Sequence, residues 1–249
     1  MTYLSAAPPL LVRDARIAFG DRLVARDLTL EFPAGRTTCL LGRSGVGKTS
    51  LLRWLAGLLP AAPRAQPVAY MAQSDLLLPW LSVLDNVVLG YRLRGDRAAL
   101  AAAEKRARGL LAEVGLADRL DDRPARLSGG MRQRAALART LAVEPSVLLL
   151  DEPFSALDAQ TKMVLQQDLA RTLAEEKKTA LFITHDLAEA VALSDRILVM
   201  SARPGTIVEE IAVDLPQRAN PLARRRGPRV GEYLARLMEL LHVEERVIS

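Results

Sequence analysis

The sequence predicts an α/β fold: a mostly parallel sheet at the centre, an antiparallel β subdomain ahead of it and a helical subdomain inserted into it. Three observations carry that prediction. Ser146–Leu150 is a short apolar run that ends in two acids, the pattern of a parallel strand buried on both faces. Thr37–Leu41 is a second apolar run, followed by a glycine-rich turn and then a helical pattern. Beyond residue 146, strand-like and helix-like segments alternate as βαβ units require.

The elements follow in order. Residues 10–41 alternate apolar and polar, with breaks at Gly20–Asp21 and Pro33–Ala34–Gly35. They read as strands over about 10–19, 23–32 and 36–41, a meander entering the main sheet. A helix is expected over about 47–58, and Pro60, Pro63 and Pro67 mark an irregular stretch before a short strand, Val68–Ala72. Residues 80–142 read as mostly helical; the Ala-rich segment 96–114 is the clearest helix, stopped by Gly115. A helix near 159–176, a strand at 179–184, a short helix at 186–193 and a strand at 195–200 complete the alternation. From Pro216 the chain is Pro- and Arg-rich, then amphipathic helix over about 228–243. No internal repeat is present.

Half of the 249 residues are hydrophobic but only 4% are aromatic, an ordinary globular balance long enough to bury a sizeable core. The net charge of +5 would suit an anionic partner, yet an Arg-rich composition produces it without one. Cys39, the single cysteine, has no partner for an internal disulfide and lies in a run that reads as a buried strand. Met1 to Pro9 lacks the basic start and apolar core of a secretory leader. The most apolar windows, Leu51–Leu59 and Leu76–Gly90, are too short to span a membrane, so any membrane role must come through a partner.

Gly42-Arg43-Ser44-Gly45-Val46-Gly47-Lys48-Thr49, followed by Ser50, fits a phosphate-binding loop, GxxxxGK[ST], between a strand and a helix. Its glycines let successive N–H groups face phosphate oxygens, and the helix N-terminus adds partial positive charge. Lys48 would reach the β- and γ-phosphates of ATP, and the Thr49 hydroxyl would bind Mg²⁺. The core is therefore of the P-loop NTPase kind, although the loop alone does not separate kinases, GTPases and ATPases. Val147-Leu148-Leu149-Leu150-Asp151-Glu152-Pro153 supplies the other half: Asp151 at a strand's C-terminal end can hold Mg²⁺. Glu152 stands one residue further on, in front of the γ-phosphate, as general base toward water.

Ser128-Gly129-Gly130 ahead of a helical pattern reads as an N-cap with exposed N–H groups, a second anion site in one small domain. Leu127-Ser128-Gly129-Gly130-Met131-Arg132-Gln133-Arg134 resembles the signature motif of ABC ATPases. In that family two subunits meet head to tail, which implies that Ser128, Gly129 and Gly130 act in trans on the nucleotide held by a partner. The resemblance, over roughly residues 10 to 213, implies further roles. Gln73 would touch Mg²⁺ and link to a membrane subunit, Asp158 would lie at the dimer seam, and His185 would stabilise the γ-phosphate and attacking water. Phe19 is either the aromatic on which adenine stacks or plain core.

The same resemblance implies an ATP-hydrolysing subunit on the cytoplasmic face of the inner membrane, working as a homodimer on integral membrane permease subunits, with a solute-binding protein acting indirectly. Leu78-Pro79-Trp80 with Val83–Val87, and Ala202-Arg203-Pro204-Gly205, resemble importers of nitrate, sulfonate and taurine; Tyr70-Met71-Ala72-Gln73 resembles importers of thiamine's pyrimidine precursor. The apolar segment 73–90 is either the groove for the membrane subunit or a buried helix start. Relatives usually carry a β-hairpin where Leu59–Val68 is short and Pro/Ala-rich, so a smaller antiparallel sheet is expected. Two parts are expected: an ATPase domain over 1–215, with helices inserted over about 76–142, and a basic linker and helix over 216–249. Arg224, Arg225, Arg226 and Arg229 either meet acidic lipid head groups or belong to a solvated linker. A soluble ABC ATPase acting on nucleic acid or ribosomes is the rival function, but the stretch between Lys48 and Asp151 holds no long coiled-coil insertion, and no nucleic-acid partner is expected.

Overall fold

The computed structural model describes residues 9–19, 22–60, 62, 67–95, 97–201 and 204–248, with the side chains of 19, 22, 97 and 242–248 outside the described set. Two antiparallel strands come first, β1 (Leu10–Phe19) and β2 (Arg22–Phe32). They form a sheet of their own rather than a meander entering the main sheet. Left-handed backbone at Asp14 and Asp27 and the register shifts between the strands twist the ribbon away. Its contacts with the main body include apolar packing against α1 and the central strands, an isolated bridge between Ala25 and Gly205, and a bond from the Gly205 N–H to the Val24 carbonyl, 2.7 Å.

The central sheet contains β3 (Thr37–Leu41), β4 (Val68–Met71), β5 (Val147–Asp151), β6 (Thr179–Ile183), β7 (Arg196–Met200) and β8 (Ile207–Ala212). Its order is β4-β5-β6-β3-β7-β8, parallel except for β8, which runs antiparallel to β7. The sequence reading did not place β8. It is an edge strand whose alternate residues are exposed, with Glu209 and Glu210 in its middle, so no apolar run announces it.

Nine helices among the described residues surround the sheet: α1 (Lys48–Leu55), α2 (Val83–Val87), α3 (Leu89–Arg94), α4 (Arg97–Glu113), α5 (Gly129–Ala142), α6 (Ala159–Glu175), α7 (Leu187–Leu193), α8 (Pro221–Arg225) and α9 (Val230–Ile248). Helices α2 to α5 lie between β4 and β5 in the chain. Gly115, left-handed at φ +69, follows the end of α4. Period-2 alternation along the strands divides the core between the two faces of the sheet. Cys39, Leu41, Leu148, Leu150 and Phe182 pack toward the helices, whereas Leu40, Val147, Leu149, Leu181 and Ile183 pack toward α1 and the β1–β2 ribbon.

The C-terminal segment packs against this core. Val230, Tyr233 and Leu237 of α9 are buried in the helix-side cluster, and the Tyr233 hydroxyl accepts a bond from the Asp214 N–H at 3.0 Å. Arg224, expected in a lipid-facing or solvated stretch, is only 2% exposed. Its guanidinium donates to the carbonyls of Ala192 at 3.3 Å and Val213 at 3.5 Å, and burial pulls its pKa below the usual arginine range. No helix of the described residues is long and apolar enough to cross a membrane.

Candidate functional site

Three neighbouring strands deliver the predicted residues to one edge of the sheet. In the order β5-β6-β3, Asp151 lies opposite Ile183 and Leu40 opposite the same Ile183, so all three strands end at one level. The carboxyl edge of a parallel sheet is where ligands bind in such folds. A cavity of about 420 Å³ opens there, lined by Val24, Ser44, Gly45, Gly47, Lys48, Thr49, Ser50, Gln73, Glu152 and Ile183.

The loop from Gly42 to Gly47 is shaped by positions that exclude side chains. A Cβ on Gly42 (φ +148) would stand 2.4 Å from the Met200 carbonyl oxygen, and one on Gly47 (φ +114) would stand 2.5 Å from Val24. Arg43 and Ser44 are exposed, while Val46 is buried and anchors the loop. Lys48 opens α1 and donates its ammonium to the Gly42 carbonyl at 2.6 Å and the Arg43 carbonyl at 2.8 Å. That holds a cation at the N-terminal end of a helix, facing the cavity.

Thr49 donates to Asp151 Oδ1 at 3.3 Å. Asp151 is buried, and its Oδ2 has no hydrogen-bond partner. Burial pushes its pKa up, the Thr49 bond pulls it back and the Glu152 charge adds to the rise. A buried carboxylate oxygen without a partner is costly, and a divalent cation beside Thr49 and Asp151 would satisfy it. The donor set therefore fits Mg²⁺.

Glu152 adopts a left-handed backbone (φ +49), with its N–H bonded to the Ile183 carbonyl at 3.1 Å. This turn aims its carboxylate at the cavity rather than along the strand. Gln73 donates to Glu152 Oε2 at 3.2 Å, and His185 Nδ1 lies 3.5 Å from the same oxygen. Gln73, Glu152 and His185 thus meet at one carboxylate. Phe19 ends β1, and its side chain lies outside the described set.

Ser128, Gly129 and Gly130 are not brought to this cavity. Ser128 caps α5, its hydroxyl accepting from the Met131 N–H at 3.2 Å, and Ser128 and Gly129 are exposed. Asp158, also exposed, caps α6 by accepting from the Gln160 and Thr161 N–H groups at 3.1 and 3.0 Å; these bonds hold its carboxyl below the usual range.

Gln133, to which the sequence reading gave no role, links the two motifs. Its amide donates to the Glu152 carbonyl at 2.9 Å and accepts from the Ala156 N–H at 2.7 Å. Its place five residues after Ser128, on the buried face of α5, was the signal available. Asp75, just after Gln73, is tied to the same helix: Arg132 donates to its carboxylate at 3.0 Å and Arg139 to its carbonyl at 2.6 Å.

Comparison with known proteins gives the family. Residues 25–155 match the family model described as ABC transporter. The chain is 44% identical over 247 residues to the aliphatic sulfonates import ATP-binding protein SsuB of Rhodopseudomonas palustris (strain BisA53), covering 93% of this chain and 84% of the relative. SsuB 1 of Paracoccus denitrificans (strain Pd 1222) is 43% identical, with 96% of each chain covered. The uncharacterized ABC transporter ATP-binding protein YtlC of Bacillus subtilis (strain 168) is 47% identical over 209 residues, covering 77% of this chain and 80% of that one. In fold, the chain resembles the dimeric ATP-binding cassette MJ0796 bound to ADP and Pi, with a TM-score of 0.71 and 24% identity over 83% of this chain and 99% of that one. The chain belongs to the ABC transporter ATP-binding proteins.

Proposed function

We propose that this ATP-hydrolysing subunit drives import of small organic sulfonates, and that its two nucleotide sites form only when two copies meet head to tail. The observation that carries the reading is the convergence of Lys48, Thr49, Asp151, Glu152, Gln73 and His185 on one cavity edge, while Ser128 and Gly129 are exposed away from it. The Gly42–Ser50 loop and Lys48 bind the ATP phosphates. Thr49 and Asp151, with Gln73 nearby, would hold Mg²⁺, whose chemistry is to neutralise charge on the phosphates. Glu152 accepts a proton from the attacking water, and His185 holds the γ-phosphate and that water in place. Ser128, Gly129 and Gly130 of one chain complete the phosphate site of the other, with Asp158 at the seam.

The subunit works at the inner face of the cell membrane against permease subunits. Leu76, Pro79 and Trp80 are exposed, Trp80 at 66%, whereas Leu77, Val83, Leu84 and Val87 of the same segment are buried. The segment therefore has a core-facing half and an outward apolar ridge that suits a permease helix. The names of the relatives favour sulfonates over a pyrimidine precursor.

The test is growth of a strain lacking this chain on an alkanesulfonate as sole sulfur source. Growth fails on the sulfonate, persists on sulfate, and returns with the wild-type chain but not with Lys48→Ala. Normal growth on the sulfonate, with uptake of a pyrimidine precursor lost, would move the assignment to the other branch.

A further inference from the structure

Among the described residues two carboxylates are buried, Asp151 and Glu189. The first belongs to the nucleotide site. The second is 3% exposed and lies near the start of α7, four residues beyond His185. A buried carboxylate is expensive unless every lone pair is satisfied, so its partners say what it holds.

Glu189 Oε2 accepts from the Thr184 hydroxyl, the residue immediately before His185. Glu189 Oε1 is paired with the Lys162 ammonium and accepts from the Gln166 amide at 3.0 Å. Lys162 also bonds Asp186 Oδ2 at 3.0 Å, the residue immediately after His185. Burial would lower the Lys162 pKa, but its bonds to Glu189 and Asp186 outweigh that and raise it, so the ammonium stays charged. Thr184 Oγ1 and Asp186 Oδ1 in turn accept from the N–H groups of Asp186, Ala188 and Glu189. Both neighbours of His185 are thus clamped by one charged cluster, while the histidine itself remains exposed.

The cluster reaches in two directions. A small cavity of about 70 Å³ is shared by Glu152, His185, Lys162 and Glu189, so the clamp stands directly behind the reacting carboxylate. On the other side Gln166 accepts from Arg225, the last residue of α8. An unbroken chain of bonds therefore runs from Arg225 through Gln166 and Glu189 to Thr184.

We propose that Glu189 is a positioning residue for His185 and that Gln166 extends this alignment to Arg225, so that the C-terminal segment sets the rate of ATP hydrolysis. The proposal rests on the role given above to His185 and Glu152. A small misplacement of a reacting group can cost up to about 10²-fold in rate, whereas loss of one part-buried arginine bond costs the fold about 1 kcal/mol.

The experiment measures kcat, KM for ATP and the thermal midpoint of the full chain. Arg225→Met should lower kcat by about 3- to 10-fold, with KM and midpoint near wild type, and Arg225→Lys should recover most of the loss. Gln166→Leu should give the same fall, and the double variant should fall no further, because both break one chain. Arg226→Met, at an exposed neighbour, should leave kcat unchanged. Wild-type kcat in both Arg225→Met and Gln166→Leu would overturn the proposal, as would losses that multiply in the double variant or follow the thermal midpoint. Should Gln166→Leu fail to fold, Arg225→Met and Arg225→Lys decide alone. Glu152→Gln is measured alongside: if it keeps turnover, the underlying site assignment has failed rather than the coupling.

Discussion

The phosphate loop and the Ser128–Gly130 turn are both glycine-rich entries to a helix, yet their glycines answer to different constraints. At Gly42 and Gly47 a Cβ would strike the chain's own atoms at 2.4 and 2.5 Å, on backbone with positive φ. At Gly129 a Cβ would meet nothing nearer than Arg132 at 3.9 Å. The first loop needs glycine to fold. The second has room for a methyl group at Gly129, although a Cβ on Gly130 would stand 3.2 Å from the Ala156 carbonyl oxygen, so a constraint on Gly129 would have to come from outside its own chain. Under the head-to-tail arrangement proposed above, one chain carries one half of a site at its cavity and the other half at Ser128 and Gly129, which are exposed.

The largest effect expected bears on the cavity half. Glu152→Gln should leave ATP bound but cut kcat by about 10²–10⁴-fold, because a carboxamide accepts no proton from water. Phosphate release in single-turnover and steady-state assays checks this, and near wild-type rates would remove Glu152 from the proposed role. Lys48→Ala comes next. Losing its charge-assisted contact should weaken ATP binding by about 1.5–3 kcal/mol in a calorimetric titration. Unchanged affinity would mean that the loop does not hold phosphates.

The glycine contrast itself is tested by a matched pair. Gly42→Ala forces a clash and a disfavoured φ, which should cost about 1–3 kcal/mol of stability in denaturant melts. Gly129→Ala should change stability by less than about 0.5 kcal/mol while activity falls. Equal stability losses at the two positions would erase the distinction drawn here. The smallest effect concerns pH. Burial would raise the Asp186 pKa, but the Lys162 bond and the backbone bonds of α7 outweigh it and lower it. Its stabilisation is present above the unfolded carboxylate value and is lost as pH falls through the lower folded one. Asp186→Asn should therefore flatten the acid side of the stability curve, read from thermal midpoints across that range.

Both turns are legible in the sequence, but other parts of the molecule differ in how far the sequence reveals them. Strand β5 and the loop before α1 were legible because burial on both faces demands an unbroken apolar run and because the loop's spacing is tied to its backbone path. Strand β8 was not, since an edge strand shows polar residues to solvent and carries Glu209 and Glu210 in its middle. Arg224 reads as a surface cation in any one-dimensional scan. Only the packing of α8 on α7 places its guanidinium against the Ala192 carbonyl. Gln133 and Glu189 escaped for a related reason: their meaning lies in partners 19 residues or more away for Gln133, and in a bond across 23 residues for Glu189. The separation of the β1–β2 ribbon from the main sheet turned on left-handed Asp14 and Asp27, a residue type common in ordinary turns.

The central claim, that each site is shared between two chains, is tested most directly by a crosslink. Ser44→Cys chains are mixed with Gly129→Cys chains, both carrying Glu152→Gln to hold ATP, under mild oxidation. Ser44 and Gly129 are exposed and native Cys39 is buried, so the introduced thiols are the reactive ones. The account predicts an ATP-dependent disulfide that joins one chain of each kind, absent with ADP and absent when either chain is alone. An ATP-dependent dimer in which these two positions do not crosslink would contradict it.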